Sequence, residues 1–363
     1  MATAFLVTLA AALVVLGAIA GSAQAKVSVG RVFVAALPVF VVGGAAILPS
    51  GIVWWSALLL AVVVGVGILL AVPLAARCAP DTAVAGSRWG LAATIAAMQS
   101  AVAVILGAVA LRWLVPVIQS VTPLDGPALA VVLVSAGVAA AAIGGGRLGA
   151  ARAALVIGVV VAVLAAVVGV ALGTPAQTMS PVVPVAGPGA AVLVISAIAV
   201  LLIASAHPGL AELSRERPVA VRRGALVTAV VGFAAVMGMA WFAGASLQFP
   251  SMPLSVIAGY VAFAPPVVGG FVAALAAIVA TVLVASALEA ALSPWEGFGD
   301  SAPGGWLSHR WVAVVVAGVG VMLMALTPLS GAWMLGVAAM AAFIMWIAAT
   351  LSRRGAAQPQ TSG

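Results

Sequence analysis

Eleven apolar stretches, each about as long as the roughly twenty residues a helix needs to cross a bilayer, follow one another along the chain with short breaks between them. They run approximately over 3–21, 31–48, 52–75, 89–117, 126–143, 150–173, 187–206, 221–245, 265–293, 311–327 and 331–351. Only 6% of the 363 residues are charged and 66% are hydrophobic, so the chain cannot cover a water-facing surface with groups that water solvates. The sequence therefore predicts an all-α integral membrane protein with about eleven spans and no soluble catalytic domain. The first stretch ends in Ala23-Gln24-Ala25, like a signal-peptidase site, but has no basic segment ahead of its apolar run. It reads as a retained helix.

Lysine and arginine fix the orientation. With the N-terminus outside, thirteen of the fourteen basic residues fall in connections on the inner side, from Lys26 and Arg31 through Arg215, Arg217, Arg222 and Arg223 to Arg353 and Arg354. Arg112 is the exception, and the opposite loops hold no other base. A miscounted span would scramble this segregation, so it supports both the count and an N-out, C-in arrangement in the plasma membrane. It also accounts for the net charge of +7 through anionic lipid rather than nucleic acid. The polar tail 352–363 is expected to be disordered and cytoplasmic.

Setting aside the first helix (1–25), the rest divides into 26–173 and 174–351, with five spans each. An odd number makes the second half enter from the opposite side, the inverted-repeat plan of many secondary transporters. In such plans the first helix of each half is broken near mid-depth, where freed backbone groups bind ions and solute. Here Pro38 and Gly43-Gly44 interrupt 31–48, and Ser205-Ala206-His207-Pro208-Gly209 closes 187–206. Ala36, Pro38, Gly43, Gly44, Ser205 and His207 are accordingly the expected solute-binding positions. The same Gly and Pro residues also suit close packing between membrane helices.

Several segments resemble the sodium:solute symporter family, and within it the cation/acetate (monocarboxylate) branch. Ala206-His207-Pro208-Gly209-Leu210, continuing through Ser214 to Ala220-Val221-Arg222-Arg223, is similar to the family's junction between the sixth and seventh core helices. Gly144-Gly145-Gly146-Arg147 is placed like the glycine pair and arginine between the fourth and fifth. Ala71-Val72-Pro73-Leu74-Ala75-Ala76-Arg77, with Thr82 and Arg88 after it, resembles the run behind the second, and 271–300 resembles the eighth with the Asp that follows it, Asp300. The resemblance implies a ten-helix core of the LeuT type and symport of a small organic solute with sodium or protons. Two departures accompany it. The family's hydroxyl pair on the eighth helix falls at Val284 and Ala285, beside Ser286, and its polar run on the first falls at Val34-Ala35-Ala36-Leu37.

Ala285, Ser286 and Glu289 are the expected ion-coupling positions. Glu289 shares a helical face with Ser286 and Ser293; it is either a protonatable carboxylate in a central cavity or the partner of an inner-side arginine, Arg310 among them. His207 is either a solute contact or a helix-end cap. Arg112 is expected to reach the outer headgroups, or else to attract an anionic solute or pair with Asp125. No phosphate loop, metal-ligand spacing or nucleophile triad occurs, so no cofactor beyond a coupling ion and no enzyme activity are expected. The expected partners are lipid and a small organic solute. A second possibility is a transporter-like protein that transports nothing and serves as a membrane partner or scaffold. A single cysteine, Cys78, excludes an intramolecular disulfide.

Overall fold

The computed structural model describes residues 89–119, 122–144, 147–172, 201–207, 266–296, 310–329 and 331–356, with isolated helical positions within 62–75, 198–199 and 226–234. Six helices organise them: α1 (Trp89–Gln119), α2 (Gly126–Gly144), α3 (Arg147–Leu172), α4 (Pro266–Glu296), α5 (Arg310–Leu326) and α6 (Gly331–Ala356). There is no strand among the described residues. Five of the helices are long and apolar enough to cross a membrane, over Gly90–Gln119, Gly126–Gly144, Gly149–Gly169, Gly269–Trp295 and Trp333–Leu351; Arg310–Leu326 is apolar but shorter. For these six helices the expected spans agree within about three residues, except that α6 continues to Ala356; the expected spans 3–21 and 31–48 lie outside the described residues, as do most of 52–75, 187–206 and 221–245. Ser352–Ala356 is thus helix rather than disordered tail.

Side-chain polarity does not distinguish one face of these helices from another, and burial is set by position in the bundle. About 71% of the α1 span is buried by protein, against 22% of the α3 span, so α1 is central and α3 peripheral. Val156, Val159, Val160, Val163, Leu164 and Val167 on α3 are all exposed. A patch of this size would be untenable in water but is the natural lipid-facing surface of a membrane helix. The protein is a membrane-embedded helical bundle.

α1 and α4 cross antiparallel. Gly107 faces Ala287, with room for only a hydrogen, since a methyl on Gly107 would come within 2.9 Å of the Ala287 Cβ. Toward the start of α1, Ala103 packs with Ala290 and Ala291, and Ser100 reaches the carbonyl of Ala291 and the indole of Trp295. Small residues let the backbones approach closely, the main source of helix association where lipid removes the hydrophobic drive.

The remaining contacts follow a pattern around this crossing. α4 packs along α3 and α2, and α1 packs along α6 and α5; α2 and α5 touch each other, and α1–α2 and α4–α5 make lighter contacts. Exchanging α1, α2 and α3 with α4, α5 and α6 leaves these pairings unchanged. One pairing departs from it: α2 packs along α3 to an extent that α5 and α6 do not match among the described residues. Asp125 starts α2 as its N-cap, its Oδ1 accepting from the backbone N–H of Ala128 at 2.9 Å.

Candidate functional site

Polar side chains inside this bundle are few, and each had to be drawn out of water into an apolar interior. Ala36, Pro38, Gly43 and Gly44, the expected break of the first core helix, lie outside the described residues. The second expected break is described up to His207. The helix there ends at Ala206, and the backbone N–H of His207 donates to the carbonyl of Ala204 at 3.2 Å. Ser205 is buried, its hydroxyl donating to the carbonyl of Leu202 at 2.8 Å and accepting from the indole N–H of Trp346 on α6 at 2.9 Å. His207 is also buried. The helix end at the Ser-Ala-His-Pro-Gly sequence is therefore present, and it is tied to α6 through Ser205.

On α4 the three expected ion-coupling residues separate. Ala285 is fully buried in an apolar cluster with Ala140, Ala154 and Val282, where its methyl supplies no ligand atom to a cation. Val284 is buried against Gly137 of α2. Ser286 is half-buried. Glu289 is buried, and its Oε1 accepts from Nη2 of Arg310 at the start of α5. Of the two settings open to Glu289 in the sequence, the structure has the ion pair. The side chain of Arg310 is 34% exposed while that of Glu289 is 3% exposed, so the arginine brings its charge inward along its alkyl stem from the helix end. Ser293, on the same face, has its hydroxyl on the carbonyl of Ala290 at 3.4 Å.

Arg112 is turned onto the end of α5 rather than onto Asp125 or outward to the headgroups. Its Nε donates to the carbonyl of Ala325 at 3.1 Å, its Nη2 to that of Thr327, and Nη1 lies 4.0 Å from the sulfur of Met334. The physical reason is that the last carbonyls of α5 have no intrahelical donors, and a guanidinium offers a fork of them. Asp125 meanwhile is committed to the N-terminus of α2. Arg112 is the cap that fixes the α5–α6 corner to α1.

A further layer was not singled out by the sequence reasoning. Ser100 on α1 accepts from the indole N–H of Trp295 at 2.8 Å and donates to the carbonyl of Ala291 at 2.5 Å. Gln99 beside it is 1% exposed, and its amide nitrogen has no hydrogen-bond partner among the described residues. The signal was available: Gln99-Ser100 is a polar pair about ten residues, roughly 15 Å, inside a long apolar span. Among the described residues there is no group of three or more His, Cys, Asp or Glu that could hold a metal ion. Compared with known proteins, the sequence matches no family model and no curated protein, and the fold matches no solved structure.

Proposed function

We propose that this protein is a secondary transporter that moves a small organic solute, a monocarboxylate or its neutral relative, across the plasma membrane by alternating access. The observation that carries the reading is the exchange relation among the helices. Apart from the α2–α3 pairing, α1, α2 and α3 make the same contacts as α4, α5 and α6, and the two leading helices cross antiparallel. Two further apolar stretches, 187–206 and 221–245, lie between the triplets, so in an N-out topology the second triplet enters from the side opposite to the first. Inverted triplets of this kind provide two related surfaces that can open in turn to either side. The full reading adds 31–75 and 187–245 as the remaining helices of a ten-helix core behind one N-terminal helix, as the resemblance to sodium:solute symporters implies.

The coupling ion in this reading is a proton or sodium. The proton route runs through Glu289: a proton on its carboxylate removes the attraction that holds Arg310 across α4 and α5. Ala285 and Val284 weigh against a sodium site of the family type, because a dehydrated cation needs five or six oxygens around it. The test is uptake of labelled short carboxylates and amides into proteoliposomes holding the full chain, under an imposed proton or sodium gradient. Accumulation driven by one gradient is expected. No driven flux of any solute, with the protein folded, rejects transport. In the same assay Glu289→Gln should abolish the dependence of uptake on pH; an unaltered dependence rejects the proton route.

A second reading is a transporter-like protein without transport that acts as a membrane partner or scaffold. The burial of Ala285 among Ala140, Ala154 and Val282 favours it, since a helix position that would serve an ion is instead packed shut.

A further inference from the structure

Several polar groups within the bundle gather at one depth. α1 meets α4 so that Ser100 lies against Ala291 and Trp295. α5 and α6 follow α4 by alternating turns, so α6, like α4, runs antiparallel to α1, and Arg112 of α1 meets Met334 of α6. Gln99 lies thirteen residues before Arg112 and Trp346 twelve residues after Met334; at about 1.5 Å per residue the two occupy the same level. Trp346 in turn holds Ser205. Gln99, Ser100, Trp295, Ser205 and Trp346 thus form a polar layer in the half of the bundle where α4 ends.

Within that layer both serines and both indoles are hydrogen-bonded. Gln99 differs, with a buried amide nitrogen and no acceptor for it among the described residues. Its neighbours one turn away on α1, Ile95, Ala96, Val102 and Ala103, are apolar and bring no acceptor to it. An amide donor left empty in a buried apolar interior costs free energy for as long as no partner arrives, and a methionine of similar size would avoid that cost. We infer that Gln99 is a solute-binding group whose Nε2–H donates to the carbonyl oxygen of a small uncharged solute lodged in this layer, of the class of short primary amides.

The chemistry sets the class. Nε2 is a donor only, so the solute must present an acceptor oxygen. The two arginines in the described helices whose side chains are placed beside this core are engaged, Arg310 with Glu289 and Arg112 with the end of α5. A carboxylate brought to Gln99 would therefore find neither arginine free and would depend for counter-charge on the buried imidazole of His207, two residues after Ser205, a costlier burial than that of a neutral carbonyl. The inference deepens the transport reading and rests on it for the purpose of the binding, though not for the binding itself.

The experiment separates the two. Equilibrium binding is measured by saturation-transfer NMR on the full chain in lipid nanodiscs, with acetamide, propionamide and butyramide, and with acetate, propionate and butyrate at pH 7.5. Wild type is expected to bind the amides saturably and the carboxylates at least tenfold more weakly. Gln99→Met is expected to weaken amide binding at least tenfold while melting at or above the wild-type temperature. Equal binding by Gln99→Met, no amide binding by wild type, or preference for the carboxylates each overturns the inference. So does a Gln99→Met protein that melts lower, which would mean that the amide already has its partner. Gln99-dependent binding without flux in proteoliposomes leaves the inference standing and removes the transport reading alone.

Discussion

The two arginines whose contacts are described show how a membrane interior uses a charge it cannot discard. Arg310 and Glu289 are unequal partners, one third exposed and the other sealed in, and their substitutions should differ. Arg310→Met leaves a buried carboxylate without its counter-charge and is expected to cost about 3 kcal/mol, whereas Glu289→Gln leaves an arginine that can swing outward and is expected to cost about 1 kcal/mol. The double variant should recover part of the first loss, as read from thermal unfolding in detergent and closed as a double-mutant cycle. Arg112→Met uncovers the carbonyls of Ala325 and Thr327 and should destabilise by about 1–3 kcal/mol, with Arg112→Lys recovering only part because an ammonium cannot span both acceptors. The sequence shows which residues are anomalous and, for Glu289, offers Arg310 among several candidate partners, but it does not show the partners of Arg112. Glu289 and Arg112 stand out in apolar runs, yet Arg310 lies 21 positions and Thr327 215 positions away, and such pairings are set by how helices cross. Gln99 was missed for a simpler reason, since the sequence was searched for charge and an amide carries none.

The helices themselves were largely legible, because an uninterrupted apolar run bounded by glycine, proline or charge has almost no other way to satisfy its backbone in lipid. The exception is the end of α6, where polar composition beyond Leu351 suggested a tail although Ser352–Ala356 stays helical; composition marks where lipid ends, not where the helix does. Crossings were not legible, since helices apolar all round do not announce which side meets which neighbour. The closest approach is the α1–α4 contact at Gly107. Gly107→Val should wedge the pair apart and cost about 1–3 kcal/mol, while Gly90→Ala, with nothing within 4 Å of the new methyl, should be neutral or slightly stabilising as helix propensity favours alanine. Comparable losses at both sites in thermal unfolding would contradict this crossing.

For the molecule as a whole, the division of basic residues predicts an orientation that one native side chain can report. Cys78 lies between Arg77 and Arg88 on the predicted inner side. It should resist a membrane-impermeant maleimide in intact cells and react once the membrane is permeabilised, and immediate labelling in intact cells would reverse the topology. The relation between the two helix triplets was only half legible: the number of spans suggested two opposed halves, but not which helices would meet. The crossing of α1 and α4 is lined on both sides by Gly107, Ala103, Ala287, Ala290 and Ala291. Methyls and hydrogens have no rotamers to rearrange, so the surfaces that meet here are smooth, without teeth that would have to unlock. Such a joint has few interlocking side chains to oppose small slides of one rod along the other, and the hydrogen bonds of Ser100 with Ala291 and Trp295 tether it at one end.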